Sequence, residues 1–193
     1  MKDTIKTDFT VDVDELRQRA REHIENGAVT GDYQANRETV IKLLNEALAT
    51  ELVCVLRYTH DHHMAIGIHA DPVSAEFAEH AKEEQEHADR LAGRITQLGG
   101  EPDYNPEGLR TRSHSEYVVR RSLIDMIREN LVAERIAIDS YSQMIRYVGD
   151  GDPTTRRLLE DILSMEEEHA KDLADLLVTL DPTEKTAPPG SEA

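Results

Sequence analysis

Two Glu-x-x-His pairs, Glu84 with His87 and Glu166 with His169, are the residues most able to do chemistry in this chain. On a helix that spacing puts a carboxylate and an imidazole one turn apart on one face, where both can ligate one centre. Among so many glutamates and nine histidines, on the order of one such pair arises by chance, so either alone is weak evidence. The surroundings of the pairs are what matter. Each follows a lone inward glutamate, Glu51 or Glu134, by 33 or 32 residues, and each of those is followed seven residues later by a tyrosine, Tyr58 or Tyr141. Glu51 and Glu134, like Tyr58 and Tyr141, are 83 residues apart; Glu84 and Glu166, like His87 and His169, are 82 apart. The pattern reads as an internal duplication.

All four glutamates interrupt apolar stripes, which predicts that they point inward. Ionised carboxylates buried without partners are strongly unfavourable, and none of the four faces shows an Arg or Lys at the same depth. Two divalent cations would cancel four negative charges. Mixed carboxylate and imidazole donors suit iron or manganese better than a closed structural zinc site, which usually has thiolates. The single cysteine, Cys54, excludes an internal disulfide and a four-thiolate site, and reads as a small core residue.

Positioning these side chains requires long helices. Val40, Leu44, Ala47, Leu48, Glu51, Val55 and Tyr58 share a face, predicting a helix over about 36–66 that Gly67 breaks. Asp71-Pro72, as N-cap and first helical residue, predicts a second helix ending at Gly99-Gly100, ahead of Pro102. A third stripe runs Ile124, Ile127, Leu131, Glu134, Ile138, Tyr141, Ile145 to Gly149; Asp152-Pro153 opens a fourth, with Leu159, Ile162, Glu166, His169, Leu173 and Leu180. No strand pattern competes. Loops within each pair are short, whereas Gly99 to Ser115 is long enough to cross the length of a bundle. The expected fold is all-α: a four-helix bundle at 36–180 with one long crossover between its second and third helices. An N-terminal extension, 1–35, would carry a helix near 12–26, capped by Thr10 or Asp12, with Leu16, Ala20 and Ile24 on one face. A polar tail, 181–193, would follow.

The net charge is −17, from 39 acidic and 22 basic residues. It opposes binding to nucleic acid or an anionic membrane and favours cations, although a merely solvated acidic surface has the same composition. Neither an apolar run of spanning length nor the apolar stretch of a signal peptide is present, so a cytoplasmic location is expected.

The runs Glu51-Leu52-Val53 through Tyr58, Glu84-Gln85-Glu86-His87-Ala88-Asp89, Leu131-Val132-Ala133-Glu134 and Glu166-Glu167-Glu168-His169 resemble the ferritin-like superfamily. Within it, they resemble the bacterioferritins and the Dps-like group that shares their di-iron site. The resemblance covers about residues 36–180. It implies that Glu84 and Glu166 bridge two metals, that Glu51 and His87 complete one, and that Glu134 and His169 complete the other. Tyr58 would be a hydrogen-bond partner or one-electron donor, and Tyr141, its counterpart, a plain buried tyrosine. The implied activity is ferroxidase: two Fe ions per subunit, with Mn as the alternative, oxidation by O2 or H2O2, and storage in a homo-oligomeric cage. Bacterioferritins carry a haem-ligating methionine where this chain has Gln85, so no haem is expected. The fifth helix of 24-subunit cages has no counterpart in the polar tail, which favours a dodecamer. Glu79 and Glu83 either match the position of an inner-surface iron site, by resemblance to bacterioferritin, or belong to a solvated helix face, and His60, Asp61, His62 and His63 form either an accessory metal cluster or an ordinary helix end. Two rival readings are a manganese catalase or other di-metal peroxidase, and a non-catalytic metal-binding cage protein.

Overall fold

The structure, a computed structural model, describes residues 10–180. The expectations for residues 1–9 and for the tail 181–193 lie outside the described residues. The chain divides into two compact units between Tyr33 and Gln34.

The first unit contains helix α1, Val13–Arg19, capped by the Asp12 carboxylate, which accepts from the backbone N–H of Asp14 (3.1 Å) and Glu15 (3.0 Å). The helix is shorter than the 12–26 expected. After Ala20 the N–H groups of Arg21 and Glu22 reach back only three residues, to Gln18 and Arg19, and His23 turns left-handed (φ 51°). A 3-10 turn, Ile24–Asn26, carries the remaining apolar residue.

The second unit is the bundle. Helix α2, Arg37–Met64, starts at Asn36, whose side chain accepts from Thr39 N–H (2.9 Å), and buries Val40, Leu44, Ala47 and Leu48. Helix α3, Ala70–Gln97, begins ahead of Asp71-Pro72, not after an Asp71 cap. The first N–H groups of a helix have no intrahelical acceptor, so Pro72 is tolerated within the first turn as well as at its first position. α3 ends where Gly99 takes φ 75° and Gly100 meets α2 so closely that a Cβ would stand 2.8 Å from Ile41 Cγ2.

The crossover contains a helix the sequence reading did not anticipate, α4, Pro106–Arg112, capped by Asn105 and opened by proline. α2 straps the crossover down: Asn45 Nδ2 donates to Glu101 O (3.2 Å), Asn45 Oδ1 accepts from Asp103 N–H (2.7 Å), and Thr50 Oγ1 accepts from His114 N–H (3.0 Å). Helix α5, Leu123–Val148, is capped by Ser122, and helix α6, Pro153–Leu180, by Asp152 as expected.

α2 packs chiefly on α3 and α5 on α6, and the two pairs meet through α2–α5 and α3–α6. One end of the core is closed by Phe77, Met126, Ile127 and Leu173, all 0–1% exposed. Each such side chain contributes about 1.5–3 kcal/mol on burial. At the other end the buried Arg94 of α3 donates to both Asp152 oxygens (2.8 and 2.9 Å) and to Thr155 Oγ1 (2.8 Å), tying the start of α6 to α3. The fold is therefore the all-α bundle with one long crossover. No helix among the described residues is long and apolar enough to cross a membrane.

Candidate metal centre

Each bundle helix sends its acidic residue to the same level. Glu51 comes from α2, Glu84 and His87 from α3, Glu134 from α5, and Glu166 and His169 from α6, all 0–3% exposed. His87 Nδ1 lies 3.0 Å from Glu166 Oε1, 3.4 Å from Glu84 Oε2 and 3.5 Å from Glu51 Oε2. His169 Nδ1 lies 3.6 Å from Glu84 Oε1, 3.7 Å from Glu166 Oε2 and 4.0 Å from Glu134 Oε2. The donor atoms form two groups, each within 4.8 Å: Glu51, Glu84, His87 and Glu166 in one, Glu84, Glu134, Glu166 and His169 in the other. Glu84 and Glu166 belong to both.

These groups fit cations because their atoms have no other partner. Glu51 Oε2, both oxygens of Glu84 and of Glu166, Glu134 Oε2, and the Nδ1 atoms of His87 and His169 are buried without a hydrogen bond. Leaving one buried polar atom unpaired costs about 1–3 kcal/mol, and here eight converge. The arginines do not relieve them. Two are buried in the bundle, but Arg57 donates to the carbonyls of Glu116 and Glu129 and Arg94 to the Asp152 network.

The remaining oxygens are held by tyrosines in a crossed arrangement. Tyr58 OH donates to Glu134 Oε1, and Tyr141 OH donates to Glu51 Oε1. Each phenol thus serves the glutamate of the other helix pair, and Tyr141 is more than a buried ring. Burial, then the charges of Glu134 and Glu84, pushes the Tyr58 phenol well up; burial, then Glu51 and Glu166, does the same to Tyr141, so both stay neutral donors. His169 is oriented from behind, its Nε2 2.8 Å from Glu83 Oε2.

Without cations the cluster balances its own charge with protons. Burial, followed by repulsion from Glu84 and Glu166, pushes the Glu51 and Glu134 carboxyls well up. Burial alone would lower His87, but the facing carboxylates of Glu166, Glu51 and Glu84 outweigh it and push it up to about 12. The carboxylates of Glu166 and Glu84 likewise overcome burial at His169, also up to about 12. Glu84 moves the other way: burial would raise it, but the nearby Glu51, His169 and His87 hold it below the carboxylate range.

Residues 41–182 match the ferritin-like domain family. The chain belongs to that family. Among its relatives, a bacterioferritin of Desulfovibrio desulfuricans is 30% identical over 142 residues, 73% of this chain and 75% of that one. A DNA protection during starvation protein of Pyrococcus furiosus is 29% identical over 146 residues, 72% of this chain and 77% of its own. A solved structure of a bacterioferritin-related protein of Bacteroides fragilis, a dodecameric thioferritin, is 29% identical with a TM-score of 0.75, covering 79% of this chain and 92% of that one. The resemblance to bacterioferritins and Dps proteins thus holds.

Beside the six converging residues, this ferritin-like protein has a feature the sequence reading missed. His80, 2% exposed, stacks on His169 with ring centroids 4.1 Å apart, and its nitrogen lies within 4.8 Å of ligand atoms of Glu134 and His169. Burial and the neighbouring His169 push it down to about 3, so it is neutral. Its position, four residues before Glu84, was the available signal. The His60–His63 cluster does not converge: His60 Nδ1 pairs with Asp61 (2.9 Å), and His62 Nδ1 lies 2.8 Å from Ser74 O. No metal-holding group among the described residues includes them. Gln85 Nε2 donates to Asp89 Oδ1 along α3 (3.0 Å).

Proposed function

We propose that this ferritin-like protein is a ferroxidase that oxidises Fe(II) at a dinuclear site and stores the product as Fe(III). Glu84 and Glu166 bridge the two irons, Glu51 and His87 complete one, and Glu134 and His169 the other. The observation that carries this reading is the convergence of eight unpartnered buried donor atoms in two overlapping groups that share Glu84 and Glu166. Two irons give up one electron each, which matches two-electron reduction of O2 to peroxide or of H2O2 to water. The protein supplies donors, leaves positions for the oxidant, and holds protons on the groups iron displaces. Tyr58 and Tyr141 keep Glu134 and Glu51 aimed inward by donating to their second oxygens.

Storage calls for an enclosed cavity, which a closed shell of identical subunits provides. The twelve-subunit form of the B. fragilis relative supports twelve here. Light scattering should give about 260 kDa, twelve times the 21.8 kDa chain. Stopped-flow absorbance with Fe(II) in large excess over two per chain tests the activity. Continued oxidation beyond that capacity is expected; a single filling event, or none, would contradict storage and return the reading to a metal-retaining peroxidase or a passive binder.

A further inference from the structure

A cavity of ≈ 140 Å³ opens between α3 and α6 beside the centre, lined by five carboxylates: Glu76, Glu79 and Glu83 from α3, Glu168 and Asp172 from α6. His80 stands among them. Its Nδ1 is buried with no partner, and its Nε2 lies 3.3 Å from Glu76 Oε1. Buried polar groups are nearly always satisfied, so an imidazole whose Nδ1 is left unpaired amid carboxylates is a ready ligand. The donor atoms of Glu76, His80 and Asp172 lie within 4.8 Å of one another.

We propose that Glu76, His80 and Asp172 bind a third divalent cation. One imidazole and two carboxylates suit the borderline cations Fe(II), Mn(II) and Zn(II) over Mg(II) or Ca(II), which prefer oxygen alone. Glu76 and Asp172 are half-buried, so water completes the shell and the ion exchanges faster than in the sealed centre. These ligands are not Glu79 and Glu83, the pair the family resemblance marks. Because His80 also touches the Glu134–His169 group, an ion held there is one imidazole from that half of the centre, in a staging position. The staging role rests on the Fe(II)-oxidation reading; the site does not.

Zn(II) titration of the full-length protein by calorimetry, in a large excess of Mg(II) to suppress unselective acidic sites, tests the proposal. Wild type should take up three ions per chain, two tight and one weaker, and the weaker one should vanish in His80→Ala. The paired isosteric change Glu76→Gln with Asp172→Asn, at half-buried positions, should remove the same ion without disturbing packing. Glu84→Gln with Glu166→Gln should keep it while losing the other two. Saturation of wild type at the central pair alone, or an unchanged third ion in the Glu76/Asp172 variant, would overturn the proposal. A single ion in wild type, lost in that variant, would support this site and sink the dinuclear reading instead.

Discussion

The α2–α3 pair and the α5–α6 pair present the same side chains to the centre but different ones a turn away. Glu51, Tyr58, Glu84 and His87 find counterparts in Glu134, Tyr141, Glu166 and His169, down to the crossed phenol-to-carboxylate bonds. At the same offset of 82, Glu76, His80 and Glu83 of α3 correspond to Leu158, Ile162 and Met165 of α6, and Asp172 corresponds to Arg90. Ile162 is fully buried, and Arg90 pairs with Asp161 at 3.0 Å. The acidic, imidazole-bearing vestibule between α3 and α6 therefore has no counterpart at the matching positions. Residues that must meet around two cations are fixed by that shared task. Residues one turn out answer only to their own helix, and here they have diverged, so that one flank gathers carboxylates around an imidazole and the other sets apolar side chains beside the Arg90–Asp161 pair.

The largest expected effect comes from the shared positions. Glu84→Ala and Glu166→Ala should each lower the rate of Fe(II) oxidation by more than about 100-fold while the helical circular dichroism persists, since each removes a donor from both groups. A large difference between the two would break the proposed symmetry. The diverged positions should give a one-sided effect. Glu83→Gln weakens the bond that orients His169, and loss of such a partner typically costs about 10–100-fold in metal affinity or activity. Met165→Leu, at the matching position, should change neither. Equal effects would mean that the asymmetry has no consequence at the centre.

A smaller effect, common to both halves, is pH dependence. Glu51, Glu134, His87 and His169 are all raised in the folded, metal-free protein. The stability they contribute is fully present below their ordinary values of 4.5 and 6.5 and is lost as pH rises toward the folded values, about 12 for the histidines. Cations replace these protons, so loading should release about four per chain and affinity should rise with pH. The gap in Tm between metal-loaded and metal-free protein should widen from about pH 6 to about pH 9. A constant gap, measured by calorimetry, would show that the ligands do not exchange protons for metal.

Much of this was legible in the sequence because repetition made it so. The six converging residues announced themselves through matching offsets in two helix pairs, and Asp152-Pro153 fixed the start of α6. Where a local signal tolerates more than one register, the reading slipped, as with Pro72 inside the first turn of α3. Helix α4 hid in a link rich in Pro and Gly, although Asn105-Pro106 is a cap and first residue by the same rule used elsewhere. The crossed phenols could not be read, since Tyr58 lies on the helix of Glu51 and only tertiary packing brings it to Glu134. His80 and Asp172 were missed for the opposite reason to the ligands: they have no repeat.

The account rests on two metals sharing Glu84 and Glu166. Crystals of iron-loaded protein, measured at the iron absorption edge, test that most directly. Two anomalous peaks about 3.5–4 Å apart, flanked by Glu84 and Glu166 with His87 on one side and His169 on the other, are expected. One peak, or iron bound away from both glutamates, would contradict it.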